Sequence, residues 1–294
     1  MTLPAPLGDA ITAALGRAPQ RATKVTGGDL NDAWRVELDD GEAAFVKTAA
    51  NAQAGGYAAE ASGLRWLAEP QGLGVPEVLA VVDPDEDAAR GPRLLALEWI
   101  DEGRLDSAGE EELGRGLAKV HDAGAPAFGG DSELRLGPVS VPNEPADSWP
   151  EFYAERRLRP LAEQADARNA LPSGCRESID RVCERLPDLT GPEEPPARLH
   201  GDLWSGNVLA GRDGRPYLID PAAYGGHREV DLSMLRLFGG PSERCFAAYR
   251  EVSPLADGHD ERVPLWQLFP LLVHAVLFGG GYGSSVARIA SRLA

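Results

Sequence analysis

The run His200-Gly201-Asp202-Leu203-Trp204-Ser205-Gly206-Asn207, followed thirteen residues later by Asp220 at the end of Tyr217-Leu218-Ile219, constrains this chain more than any other feature. Taken singly, Asp202, Asn207 and Asp220 are ordinary turn formers on a surface. Together they supply a carboxylate, an amide oxygen about one turn further on and a second carboxylate where a strand ends, which are the oxygen ligands that hard cations select. Such a set is useful only if a loop and a strand end converge on one cleft, and the rest of the chain has to build that cleft. His200 reads as a core histidine whose ring hydrogen-bonds the loop backbone and holds it in place.

The length, 294 residues, is enough for two domains or lobes at roughly 100–200 residues each, with a cleft between them. With 29 Lys+Arg against 46 Asp+Glu the formal charge is -17. No basic cluster offsets it, so phosphate backbones and anionic membranes are not expected partners. Cys175, Cys183 and Cys245 are an odd number without metal-site spacing and read as reduced core residues. The N-terminus lacks the basic start and continuous apolar run of a signal peptide, so a cytoplasmic location is expected. Residues 263–278 form the most apolar stretch; it is shorter than the ~20 residues of a membrane span and reads as a buried helix.

Residues 21–26, 33–38 and 43–48 carry β-branched and aromatic side chains, with a turn signal at Asp39-Asp40-Gly41, and predict a small antiparallel sheet. A helix over residues 55–69 and strands at 78–82 and 94–100 complete a β-β-β-α-β-β order. Beyond Ile100 the pattern turns helical. Ser107 with Glu110, and Ser148 with Glu151, read as capping boxes, and residues 175–186 repeat helical spacing. Short strands at 207–210 and 216–219 follow, and the remainder reads as helix to the end.

Among 26 arginines there are only three lysines, so a lysine kept inside an apolar strand, Lys47 in Phe45-Val46-Lys47, points to a need for an ammonium. His200 to Asn207 has the spacing of the kinase catalytic loop H-R-D-L-x-x-x-N, with Gly201 in place of the arginine. In that chemistry Asp202 meets the acceptor hydroxyl, while Asn207 and Asp220 hold Mg²⁺ against the phosphates of ATP. Lys47 then meets the α/β-phosphates and Glu60, in the following helix, is its ion-pair partner. Gly27 and Gly28 lie where a phosphate-covering loop belongs, and the crossing from Glu98 to Ile100 lies beside the adenine. The expected fold class is α+β, with a nucleotide-binding sheet lobe over residues 1–100 and a helical catalytic and substrate-binding lobe over 101–294.

These residues carry a family resemblance that runs almost end to end. The chain resembles the fructosamine kinase (ketosamine-3-kinase) family, relatives of aminoglycoside phosphotransferases within the protein-kinase-like fold. The marks are Gly27-Gly28, Phe45 to Lys47, the run Trp149-Pro-Glu-Phe-Tyr-Ala-Glu-Arg-Arg-Leu158, the tryptophan inside His200 to Asn207, and Asp220-Pro-Ala-Ala-Tyr-Gly225. The resemblance implies ATP- and Mg²⁺-dependent phosphorylation of the 3-hydroxyl of ketosamines, free or on a glycated protein. Trp204 reads either as a platform for the sugar or as an anchor packed into the helical lobe. Asp220 is followed by Pro221-Ala222 rather than Phe-Gly, so no activation-loop switching is expected. The acidic pair Glu229 and Asp231 either organises the metal loop or caps the next helix, and Asp231, which begins an apolar run, reads as a cap. The competing readings are another small-molecule kinase of the same fold, for aminoglycosides, choline or a thio-sugar, a Ser205–His200 hydrolase, and a pseudokinase scaffold.

Overall fold

A computed structural model of the chain describes residues 3–25, 32–49, 53–84 and 91–294. Its first part is a five-stranded antiparallel sheet in the order β1-β2-β3-β5-β4. The strands are β1 (Pro19–Val25), β2 (Asp32–Leu38), β3 (Ala43–Thr48), β4 (Val78–Val82) and β5 (Leu94–Glu98). Both faces are covered, which is why β5 is apolar from Leu94 to Leu97. Leu94 and Ala96 join Trp34, Val36, Ala44 and Val46 under a helix at the N-terminus, α1 (Ala5–Leu15), through its Leu7 and Ile11. On the other face Leu95 and Leu97 meet Tyr57, Ala61 and Leu64 of α2 (Gly56–Ala68). Strand alternation puts Phe45 and Lys47 of β3 on this second face, toward α2. The sequence pattern did not predict α1, whose stop signal is Gly16 in the left-handed region at φ 66°.

The helical part begins with α3 (Ser107–Asp122). Its cap is Asp106, one residue before the Ser107 expected from the pattern, and its carboxylate accepts the N–H groups of Ala108 and Gly109 at 3.0 and 2.9 Å. Glu110 therefore does not reach back to a cap; it hydrogen-bonds Ser242 instead. A hairpin, β6 (Leu134–Leu136) and β7 (Val139–Val141), leads to α4 (Trp149–Tyr153), capped by Ser148 as the pattern predicts. A π-helical turn at Ala154–Leu158 connects it to α5 (Arg159–Ala167), and α6 (Cys175–Leu189) follows. Rings of Trp149, Phe152, Tyr153, Trp266 and Phe269 form the centre of the large core with Ile179, Val182 and Leu272. The three cysteines are free and buried.

Two short ladders set the site. Strand β8 (Ala197–Leu199) pairs with β11 (Tyr224–Gly226), and β9 (Val208–Ala210) pairs with β10 (Pro216–Leu218). The first ladder brings the chain after Asp220 against the chain before His200, and β11 lies where the sequence reading expected only helix. Helices α7 (Glu229–Leu235), α8 (Glu243–Val252), α9 (His259–Phe278) and α10 (Gly281–Leu293) complete the chain. Among the described residues no helix is long and apolar enough to cross a membrane, α9 included. Arg198 of β8 reaches the end of α2, with its guanidinium 2.7 Å from Glu69 and 4.6 Å from the Trp66 ring centroid. That contact ties the helix carrying Glu60 to the strand that enters the loop.

Candidate active site

The loop after β8 is held from behind. Buried His200 donates from Nε2 to the Ile219 carbonyl at 2.9 Å, and its Nδ1 accepts the Asp202 N–H at 3.2 Å, so both ring nitrogens serve the loop. Burial lowers its pKa and outweighs the pull of the Asp231 carboxylate. Gly201 has φ 81°, and a Cβ there would lie 1.9 Å from the Ala222 carbonyl oxygen. Only glycine fits that approach.

Asp231 is not the helix cap that its place before an apolar run suggested. It sits inside α7, fully buried, and its carboxylate accepts the N–H groups of His200 at 2.7 Å and Gly201 at 3.0 Å, with His121 Nε2 at 3.3 Å. Unpaired backbone donors at this depth would be costly, so a buried acceptor is what the loop needs. The clue in the sequence is an acid embedded in Val230-Asp231-Leu232, where an exposed cap has no reason to be followed and preceded by buried residues. Its neighbour Glu229 accepts two hydrogen bonds from Arg262, at 2.9 and 2.6 Å, and one from Trp266 Nε1 at 2.8 Å.

On the open side of the loop, Asn207 Nδ2 donates to the Asp202 carbonyl at 2.8 Å and to its carboxylate at 3.1 Å. The amide oxygen of Asn207 is thereby turned away from Asp202. Burial raises the Asp202 pKa, the Asn207 hydrogen bond lowers it, and the charges of Asp220 and Asp231 raise it again, leaving it at about 7. Asp220 follows β10 at φ 54°, a left-handed conformation open to aspartate.

Lys47 crosses from the sheet to this point. Its Nζ lies 2.9 and 3.1 Å from the two Glu60 oxygens and 2.6 Å from Asp220. Burial works against the ammonium, but the charges of Glu60 and Asp220 prevail and hold its pKa up. One cation serves two carboxylates. Glu60, buried between sheet and helix, is pushed upward by desolvation against the pull of Lys47. Asp220 is held low, since Lys47 outweighs its own desolvation, and its side chain remains 45% exposed. The excess negative charge therefore faces the cleft.

Gly27 and Gly28 lie outside the described residues. Glu98 is at the exposed end of β5, where its N–H donates to the Glu77 carbonyl at 2.8 Å and its carboxylate accepts the Glu77 N–H at 3.2 Å, so it fixes the crossing segment. Ile100 lies two residues on and is half-buried. Trp204 is 39% exposed, with its ring over Gly206 and edge-on to Phe238 at 6.5 Å, and is not packed away as a loop anchor. Among the described residues no three His, Cys, Asp or Glu side chains form a metal cage. Asp220 with the Asn207 amide oxygen fits a cation that takes few protein ligands and keeps water and phosphate oxygens for the rest, the habit of Mg²⁺.

Comparison with known proteins places the chain in a family and a fold. The model of the fructosamine kinase family matches residues 7–294. A protein of Enterococcus faecium described as a probable ketoamine kinase is 34% identical over 266 residues, covering 90% of this chain and 92% of its own. A crystal structure from Thermobifida fusca, described as a candidate fructosamine-3-kinase, superposes with a TM-score of 0.88 at 43% identity, covering 97% of this chain and 98% of the other. A macrolide 2′-phosphotransferase of Brachybacterium faecium, at 15% identity and a TM-score of 0.59 over 97% of this chain and 96% of its own, shares the two-lobed protein-kinase-like fold.

Proposed function

The chain belongs to the fructosamine kinase family and is a phosphotransferase acting on a hydroxyl group, and from that premise we propose that it transfers the γ-phosphoryl group of ATP to the 3-hydroxyl of ketosamines. The observation that carries the reading is the convergence of Lys47, Asp220, Asn207 and Asp202, drawn from sheet, strand end and loop, on one edge of the cleft. In this reading the chain divides functionally at residues 100/101, with the donor held largely by the first part and the acceptor by the second.

Asp202 accepts the proton of the acceptor hydroxyl, and burial keeps its pKa near the pH at which it must work. Lys47, oriented by Glu60, meets the α/β-phosphates. Asp220 and the Asn207 amide oxygen would hold Mg²⁺, whose charge when bound offsets that of the phosphates. The backbone from Glu98 to Ile100 meets the adenine edge, and the exposed Trp204 indole supplies a platform for the sugar. Once the product forms its C1–C2 enaminol, phosphate leaves from C3 and hydrolysis frees the amine, which amounts to deglycation of a free or protein-borne adduct.

The test is ADP release and ³¹P NMR with purified protein over fructose-lysine, ribulose-lysine, an aminoglycoside and choline. A new sugar-phosphate resonance from the ketosamines, followed by free lysine, is the expected result. Phosphorylation of the aminoglycoside or choline with no turnover of a ketosamine would overturn the acceptor assignment and leave a kinase of the same fold.

A further inference from the structure

Lys47 meets Glu60 only while α2 lies against the cleft, and Glu60 has reasons to withdraw. Its carboxylate is desolvated, feels the like charge of Asp220, and shares one ammonium with it. Something has to hold the helix in. The sheet lobe contributes an apolar face and a polar tie, since Asp83 accepts the Ala58 N–H at 3.0 Å in place of the side-chain cap that Gly55 lacks.

The helical lobe takes hold of α2 at both ends. Strand β6 reads Leu134-Arg135-Leu136, and its two leucines are anchored in the large core. Alternation turns Arg135 to the opposite face, where its guanidinium crosses to the other lobe and donates to the Ala54 carbonyl at 2.9 Å, two residues before the helix starts. Among the described residues that is the only hydrogen bond its side chain makes. At the far end Arg198 of β8 lies over the Trp66 ring and donates to the Trp66 carbonyl and the Glu69 carboxylate. Between the two, the helix has no side chain at Gly63, one turn beyond Glu60 and on the same face. A Cβ there would come within 3.2 Å of Pro221 and Ala223, so helix and Asp220 segment touch at the level of the ion pair.

Resting on the reading of Lys47 as the phosphate-binding ammonium, we propose that Arg135 and Arg198 are positioning residues that clamp α2 from the helical lobe, so that Glu60, Lys47 and Asp220 stay assembled in the ligand-free enzyme. Neither touches substrate. Loss of a clamp lets Glu60 withdraw and leaves the ammonium to Asp220, so the phosphates must compete for a lysine held by the metal-binding carboxylate. The two clamps differ in chemistry. Arg135 serves one carbonyl, to which a lysine can also donate, whereas Arg198 uses a planar fork and a stacked face that a lysine lacks.

The experiment uses the full chain, first without ligand. With three lysines in the sequence, acetylation by a water-soluble ester and mass spectrometry reads buried Lys47 against exposed Lys24 and Lys119. Lys47 should be protected in the wild type, and its rate should rise roughly tenfold in Arg135→Met and Arg198→Met, the scale of one charge-assisted hydrogen bond. KM for ATP should rise by a similar factor and KM for the ketosamine stay unchanged, at a temperature well below each variant's unfolding midpoint. Arg135→Lys should restore both readouts, and Arg198→Lys neither. Because the clamps act through Glu60, adding Arg135→Met to Glu60→Gln should raise KM for ATP no further. Lys47 labelled at the wild-type rate in both methionine variants, or full additivity with Glu60→Gln, would overturn the clamp. A KM for the ketosamine that rose as far as that for ATP would mark a general loss of packing and overturns it too. If no acceptor is turned over, the kinase reading falls, and the labelling of the ligand-free chain still decides the clamp.

Discussion

Asp231 and Asp220 face the same loop from opposite sides and are held in opposite ways. Asp231 has no exposure and two backbone N–H groups plus a histidine nitrogen directed at it, and its neighbour Glu229 is saturated by Arg262 and Trp266. Asp220 is half-exposed and shares one ammonium with Glu60. The difference separates scaffold from site. Where every oxygen has its donor, a carboxylate fixes backbone; where two carboxylates share a cation, bonding capacity is left for a ligand, and the protein keeps the repulsion as part of the site's cost in stability.

The widest break in that comparison comes from the one carboxylate assigned to chemistry. Asp202→Asn is expected to lower kcat by roughly 10²–10⁴-fold, the scale of a lost general base, while the thermal shift given by Mg·ATP stays close to that of the wild type. Near-normal turnover would remove Asp202 from its role. On the scaffold side, Asp231→Ala leaves the buried N–H groups of His200 and Gly201 without an acceptor, at about 1–3 kcal/mol each. Urea unfolding should show a loss of several kcal/mol. Asp220→Ala, by contrast, should cost the ligand-free protein less, since its half-exposed carboxylate shares Lys47 with Glu60, which still pairs the ammonium when Asp220 is gone. If the two substitutions destabilised equally, the division into scaffold and site would fail.

A smaller effect is expected on ligand binding. A ligand at one hundred times its Kd raises native stability by about 2.7 kcal/mol, so the thermal shift reports the phosphate site directly. Asp220→Ala should abolish the Mg²⁺-dependent part of the ATP shift, and Lys47→Met should weaken the whole shift. Full shifts in both variants would take the metal and phosphates away from these residues.

The division also marks what could be read from the chain. The loop was legible because its functional groups are contiguous, and Lys47 because an ammonium in an apolar strand is anomalous. Its pairing with Glu60 followed from a strand and the next helix in sequence. For Asp231 the choice between organising the loop and capping a helix falls the wrong way in the sequence, because its partners are backbone groups thirty residues earlier and only the apolar residues around it hint at burial. Strands β6, β7, β8 and β11 were missed: at three residues each a period of two hardly shows, and β9 and β10, equally short, are readable only with the Gly211–Gly214 turn signal between them. At α3, Asp106 and Ser107 are both good caps, and only the backbone angles decide between them. The two-lobed outline, set by longer periodic segments, was readable throughout.

The last prediction gives the comparison a sign. In the scaffold, His200 and His227 each use Nδ1 to accept a backbone N–H, from Asp202 and Glu229, so protonation breaks a buried hydrogen bond. For His227, packed between Trp149 and Trp266, burial lowers the pKa despite Glu229 and Glu194, while Arg228 and Arg262 lower it further. A histidine depressed in the folded state gives stability that is present above its unfolded pKa of about 6.5 and is lost as pH falls through the folded value. Asp202 runs the other way. Raised to about 7, it gives stability that is present below its unfolded pKa of about 3.9 and is lost as pH rises through 7. Between about pH 6.5 and 5 the two regions oppose each other, each proton contributing at most ~1.4 kcal/mol per pH unit, so the ligand-free wild type should vary little. Glu60, also raised to about 7, acts in the same direction; Asp202→Asn removes one of the two opposing protons, and its urea midpoint should fall more steeply on acidification than that of the wild type. His227→Phe, which keeps the ring stack, should tilt the slope the opposite way. Parallel slopes for wild type and both variants in chelator-containing buffer would show that the two regions do not differ in the way their hydrogen bonds imply.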